Sequence, residues 1–388
     1  MTGDKYKEDG VNIEEGDSFS EHAAQICKAT YRFSPFVKVA DMAKGNFRGP
    51  RGVEYHLPKG CTLGIAADGP GTKVVLIDAA GSYRLAAHEV AAMTGTDITR
   101  WGGIPLIFAS VLDFFTIGEE GDEVNKAARE VIDGAYDVAK AMRFVILTGE
   151  TAELGPCVGS ENPDARLKFN WAGFMTGAYH HKKMILGDTL REGQIIMVLQ
   201  ELGFRANGIS SVRKALKIKY GENWWANPAA IADIKACATP SVLYDLFLAE
   251  LNGWYDSNLA VQIESHLIVH LSGGAFKSKL GDDMLFPLGL SAEIDNLFEP
   301  PEIMKKCAKW RGMSEPECYK TWNGGQGVLV VIDQRDEQEF IDKAAAQGLT
   351  AQRGGEIVKK DNPSVIIESR FGSGQTICFE PGQDEKKE

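Results

Sequence analysis

Carboxylates, glycines and cations stand where apolar runs of this chain end. Asp68 closes one run and opens Asp68-Gly69-Pro70-Gly71-Thr72-Lys73. The two glycines let backbone N–H groups approach an anion, Asp68 can take a hard cation, and Lys73 can meet a phosphate. The same stretch also reads as an ordinary turn, because Asp-Gly is a common turn dipeptide. Asp97 ends an alanine-rich segment and Asp113 ends the run Ile104–Leu112. The helix dipole disfavours an acid at a helix C-terminus, so Asp97 invites a further reason such as a metal, with a solvated loop as the plainer one. Phe144–Leu147 delivers Thr148-Gly149-Glu150-Thr151-Ala152-Glu153 into what reads as a loop, at the kind of strand end where open α/β sheets bind ligands. Several carboxylates at element ends in one half point to magnesium held through one or two of them together with substrate phosphates.

The second half is less sharp. Arg205-Ala206-Asn207-Gly208 precedes an amphipathic segment carrying Arg213 and Lys214. Asn-Gly at a helix entrance is a weak phosphate signal and a better capping signal. His270 follows Leu267 and Val269 at strand alternation and abuts Ser272-Gly273-Gly274. A lone strand histidine is more often structural, and the glycines allow close approach to a ligand. The chain contains no G-x-x-x-x-G-K-[ST], H-E-x-x-H or G-x-S-x-G. Its seven cysteines, none spaced as C-x-x-C, read as free thiols of a reducing compartment.

These residues need elements to hold them. Residues 1–60 read as polar and irregular, with Arg48 and Arg51 among Gly45, Gly49 and Gly52. Cys61–Ala67 and Val74–Ile77 fit two strands joined by the turn at Asp68–Gly71. A helix is expected over about 84–94, a buried strand over Ile104–Leu112, and a strand over Phe169–Ala178. The helix over 121–142 is the clearest, since Val124, Ala128, Val131, Ala135, Val138 and Met142 form one apolar stripe. Polar, turn-rich sequence near 180–193 suggests a boundary, giving domains 1–182 and 183–380 and an acidic tail 381–388. Beyond it come a strand at Ile195–Leu199, helices near 208–219, 228–236 and 241–254, and strands at His266–Leu271 and Val328–Ile332. Asp336 and Glu339 have capping-box spacing. The fold class is α/β (α+β).

Composition narrows the partners. With 388 residues, 42 basic against 54 acidic side chains and a formal charge of −12, nucleic acid and anionic membrane are disfavoured. Neither an N-terminal apolar leader nor a run of membrane-spanning length is evident, so a cytoplasmic, soluble enzyme with a small-molecule substrate is expected.

Read in order, these segments resemble the family of phosphoribosylformylglycinamidine cyclo-ligase, or aminoimidazole ribonucleotide synthetase. Tyr6-Lys7-Glu8-Asp9-Gly10-Val11 resembles its N-terminal motif, Asp68–Lys73 its D-G-x-G-T-K loop, and Gly149–Glu153 its G-E-T-A-E segment. Asn207-Gly208 with Ser210, Val212, Arg213 and Lys214 is similar to N-G-x-S-x-V-R-K, His270–Gly274 to H-L-T-G-G, and Tyr319–Asn323 to Y-R-T-F-N. The chain departs from the pattern at Asn12, Thr96, Arg205-Ala206 and Gln326. The resemblance implies an N-terminal domain that pairs with its mate into a β-barrel homodimer, an α/β C-terminal domain, and ATP with Mg2+ as cofactors. It implies Asp68, Asp97 and Glu150 as metal and phosphate ligands, with Gly69, Gly71, Thr72 and Lys73 around the phosphates. Asn207 and His270 would lie toward a formylglycinamidine ribonucleotide substrate. The implied reaction is ATP-dependent imidazole ring closure in purine biosynthesis. The alternatives are another ATP-dependent reaction of the superfamily, which includes thiamine monophosphate kinase and a hydrogenase-maturation protein, and a non-catalytic nucleotide-binding dimer.

Overall fold

The computed structural model describes residues 13–42, 46 and 49–382. The N-terminal motif, Asn12, Gly45, Arg48 and the last residues of the acidic tail lie outside them. The chain divides into two compact units. One holds the residues up to Ile98, Ile104–His181 and Trp225–Ala238; the other holds Thr99–Gly103, Lys182–Trp224 and everything from Thr239 on. The chain thus crosses between units at two short excursions in addition to the change near 181.

The first unit is built on a four-stranded sheet of β3 (Cys61–Asp68), β4 (Ile104–Phe114), β5 (Val145–Glu153) and β6 (Phe169–His180), in the order β3-β6-β4-β5. Only β4 and β5 run parallel. Helices α1 (Ile13–Thr30), α2 (Lys73–Ala80), α3 (Ala86–Thr99) and α4 (Glu123–Met142) accompany it, beside a two-stranded ribbon of β1 (Val37–Asp41) and β2 (Arg51–Tyr55). The stripe expected on α4 is buried as read, from Ala128 through Val131, Ala135 and Val138 to Met142. Gly173 and Gly177 of β6 admit α3 at contact distance: a Cβ at either would stand 2.4 Å from Val90 or Ile98. Odd positions of β6 therefore face α3, and Phe174 and Thr176 face away.

Three expectations fail here. Val74–Ile77 is not a strand but the body of α2, which runs from an N-cap at Thr72 to a left-handed Gly81. A four-residue apolar run has no period of its own, and Val75, Leu76 and Ile77 are buried by packing on several sides. Residues 1–60 are not irregular throughout, since α1 and the β1–β2 ribbon lie there. Thr148–Glu153 is not a loop, because pairing with β4 extends β5 through Glu153, with Gly149 opposite Ser110 and Glu150 opposite Val111.

The second unit carries a seven-stranded sheet of β7 (Ile195–Gln200), β8 (Leu267–His270), β9 (Ser291–Ile294), β10 (Gln326–Ile332), β11 (Ala351–Val358), β12 (Val365–Glu368) and β13 (Thr376–Phe379). The order is β13-β12-β9-β11-β7-β10-β8. All its pairings are antiparallel except β12 with β9. Alternation sends Ile196, Val198, Leu329 and Val331 into one core and Ile195, Met197, Val328 and Val330 into another, so both faces are covered. Helices α5 (Ile209–Tyr220), α7 (Asp245–Leu251), α8 (Glu302–Arg311), α9 (Glu315–Thr321) and α10 (Glu337–Ala346) belong to this unit, and α6 (Ile231–Cys237) to the first. The capping box forms at Ser314 and Glu317 of α9, whereas Asp336 caps α10 without a side-chain hydrogen bond.

Gly134 offers a direct test of the packing of α4. A Cβ there would lie 2.0 Å from the Arg84 carbonyl oxygen. Alanine raises helix propensity by about 1 kcal/mol over glycine, but the clash is with backbone. Gly134→Ala is therefore expected to lower stability by about 1–3 kcal/mol in urea denaturation; a gain in stability would refute this packing.

Candidate functional site

The Asp68–Lys73 segment makes a turn into a helix. Asp68 is exposed and accepts the Gly69 N–H at 2.7 Å. A Cβ at Gly69 would sit 2.5 Å from the Trp171 carbonyl oxygen, so this glycine is needed for strand packing whatever binds nearby. Gly71 takes φ +53°, and the Lys73 amide closes the turn on Pro70 O at 3.2 Å. Lys73 then turns inward. Its ammonium lies 2.8 Å from Glu89 Oε1 on α3, and the two side chains are 0% and 1% exposed. The phosphate-facing lysine expected from the sequence is instead half of a buried ion pair, because its first-turn position on α2 points it at α3 and not at solvent.

Asp97 is half-buried in the last turn of α3, which runs five residues beyond its expected end, and its neighbour Thr96 is fully buried. Glu150 is exposed, its backbone held in the pairing of β5 with β4. Glu153 differs, since its Oε1 accepts from Thr116 Oγ1 at 2.9 Å and the Ile117 amide at 2.7 Å, pinning the turn after β4. Among the described residues no group of three or more His, Cys, Asp or Glu side chains could hold a metal ion. Asp68, Asp97 and Glu150 are thus not assembled into a preformed cage.

The Thr148–Thr151 stretch of β5 borders a cavity of about 750 Å³ inside the first unit. Phe108, Ser110 and Leu112 of β4, with Ile146 and Trp171, line it from the sheet; Ala23, Ile26 and Cys27 of α1, and Ile132 and Ala135 of α4, line it from the helices. Gly49, Pro50 and Arg51 complete it, with the Arg51 guanidinium held by the carbonyls of Gly49 at 2.7 Å and Asn46 at 2.8 Å. Its size falls in the range of small-molecule sites. Burial pushes the Cys27 thiol up to about 11, so it is a protonated wall and not a nucleophile. The cavity is invisible to motif reading, because it needs α1 laid beside β5.

In the second unit, Arg205, Asn207, Ser272, Trp322 and Asn323 line one narrow crevice. Three segments distant from one another in sequence meet there. Asn207 is not the cap of α5; that position is Gly208, left-handed at φ +66°. Asn323 donates to Gly203 O at 3.0 Å and accepts from the Gly325 amide at 2.8 Å. Gln326 is buried, with Phe298 N donating to its Oε1 at 2.7 Å, so this departure supports the backbone. His270 is 0% exposed, and its Nε2 accepts from Arg205 Nε at 3.1 Å. The histidine expected to face substrate is enclosed, while Arg205, Asn207 and Ser272 reach the crevice.

A one-sided four-stranded sheet joined in sequence to a two-sided seven-stranded sheet defines a two-domain mixed α/β protein. Residues 52–177 match the family model for the N-terminal domain of AIR synthase related proteins, and residues 191–368 match that for the C-terminal domain. The chain belongs to the AIR synthase related family. A phosphoribosylformylglycinamidine cyclo-ligase of Staphylococcus epidermidis is 28% identical over 363 residues, covering 93% of this chain and 98% of that one. Among solved structures, the hydrogenase maturation protein HypE of E. coli aligns with TM-score 0.53 and 14% identity, over 92% of this chain and 95% of that one. A HypE solved in complex with ATP aligns at 0.53 with 12% identity, over 85% and 87%. Thiamine-monophosphate kinase of Stenotrophomonas maltophilia K279a aligns at 0.52 with 13% identity, over 87% and 94%. These structural likenesses speak to the fold alone. No helix among the described residues is long and apolar enough to cross a membrane.

The Lys73–Glu89 pair makes a measurable claim. Removing one member of a buried pair leaves the other charge unpaired at a cost of about 3–5 kcal/mol. Lys73→Ala is expected to lose that much stability by chemical denaturation; a loss below about 1 kcal/mol would mean that Lys73 spends its time at the surface.

Proposed function

We propose that this chain is an ATP-dependent enzyme that closes the imidazole ring of formylglycinamidine ribonucleotide. The observation that carries the reading is the span of the match: the cyclo-ligase relative aligns over 93% of this chain and 98% of its own length. The cavity beside Thr148–Thr151 supports it with a volume suited to a nucleotide, and the ATP-bound HypE shares the fold. On this reading ATP phosphorylates the formamide oxygen of the substrate and leaves as ADP. The amidine nitrogen then attacks the activated carbon, and phosphate departs as the ring closes. The protein's part is positioning and charge stabilisation. Magnesium would arrive on the phosphates, neutralising them, with Asp68, Asp97 and Glu150 as the carboxylates that would hold it.

A second reading, a different substrate on the same scaffold, draws on the crevice of the second unit. Arg205-Ala206 stands where the resemblance has His-Ser, and Arg205 is buried in an ion pair. One assay separates the two. With ATP, magnesium and formylglycinamidine ribonucleotide, the first reading expects ADP and aminoimidazole product in equal amounts. Glu150→Gln is expected to lower the rate by about 10²-fold or more. ADP without ring closure favours the second reading, and full activity in the variant removes Glu150 from the site.

The reading includes a homodimer through the uncovered sheet face. Leu63, Ile65, Val111 and Phe174 are exposed there, Ile65 at 69%. Such a contiguous apolar face on a sheet asks for a cover. Light scattering is expected to give twice the chain's mass, and Ile65→Glu to give the monomer; a monomeric native chain would overturn this assignment.

A further inference from the structure

The Glu201–Arg205 corner after β7 is buried beyond what turn geometry requires. Both residues are 1% exposed. Arg205 Nη1 donates to Glu201 Oε2 at 2.8 Å and to Val242 O at 3.1 Å, and the guanidinium lies over the Tyr244 ring at 5.4 Å. Tyr244 donates to Gln200 O at 2.7 Å and reaches Glu201 Oε2 at 3.2 Å. Burial, and then the Glu201 charge, hold that phenol protonated. Gly327 of β10 is part of the same construction, because a Cβ there would stand 2.2 Å from the Tyr244 hydroxyl. Four strand ends and loops thus converge to hold one guanidinium in one orientation.

That orientation has a chemical consequence at His270. Arginine keeps its proton in proteins, so its Nε is always a donor. At 3.1 Å from Arg205 Nε, His270 Nε2 must be the acceptor, and the ring proton must sit on Nδ1. A second proton on Nε2 would set donor against donor and cation against cation in a low-dielectric interior. Among the described residues the charges nearby are few: Asp245 acts on Arg205 alongside Glu201. Glu201 is committed to Arg205, and Lys279 adds a second cation 3.5 Å from the His270 carbonyl oxygen. We infer that Arg205 is a positioning residue that locks His270 as the neutral Nδ1–H tautomer, so that the ring is not a proton shuttle. The inference stands apart from the proposed reaction, since it concerns the unliganded chain.

Nitrogen-15 spectra of the full-length, histidine-labelled protein test it, with the His270 signals assigned by their loss in His270→Gln. The expected result is an unprotonated Nε2 and a protonated Nδ1 that do not titrate between about pH 5 and 8. In Glu201→Gln/Arg205→Met, which removes both buried charges together, the Nε2–H tautomer is expected to become the major form. A charged ring or an Nε2–H form in the wild-type protein overturns the inference without any variant. A double variant that keeps the wild-type tautomer overturns the role given to Arg205. A merely structural Arg205 would change stability and leave the tautomer where it was.

Discussion

Helix α3 lies so close to β6 that only glycine fits at positions 173 and 177, each with room for no Cβ beside Val90 or Ile98. Much of the first unit follows from that contact. It gives the four-stranded sheet one closed face, and it decides which residues of every strand are core. Phe108, Leu112 and Trp171 fall on the closed side and are buried, while Ile65 and Phe174 fall on the other and are exposed. Because β5 is the edge strand and α1 and α4 flank it, space remains between helices and sheet, and the cavity occupies that space. The same one-sidedness leaves an apolar face uncovered by the described residues of this unit, which is what the proposed dimer would cover.

The buried charges follow a second rule. Lys73 and Arg205 both sit in segments that look made for an anion, and both are drawn instead to a glutamate within the fold. Glu89 takes the first and Glu201 the second, at 2.8 Å in each case. A cation that has lost water needs a counter-charge more than a surface site needs a cation, so burial settles the competition. Asp68 and Glu150, by contrast, stay exposed to water. In the second unit the Arg205 corner passes its constraint on to His270, Tyr244 and Gly327, linking β7, β8 and β10 through side chains as well as through the ladder.

What the sequence determined by itself was of two kinds. Long periodic segments declared their own structure: the stripe on α4, the buried run of β4 and the long strand β6 need no distant partner to be read. The ordered series of motifs from Asp68 to Asn323 declared the family, because several matches in the same order are far more specific than any one. Short segments did not declare themselves. Val74–Ile77 is as apolar as a strand and became a helix, since four residues hold too little period to choose. Thr148–Glu153 has glycine and acids like a loop and became a strand, since its partner β4 lies some 40 residues earlier in the sequence. The direction of Lys73, the enclosure of His270 and the cavity beneath α1 were decided only in the tertiary structure. Each depends on which low-dielectric surface comes to lie against a side chain, and that is a property of packing between distant segments, which local spacing does not encode.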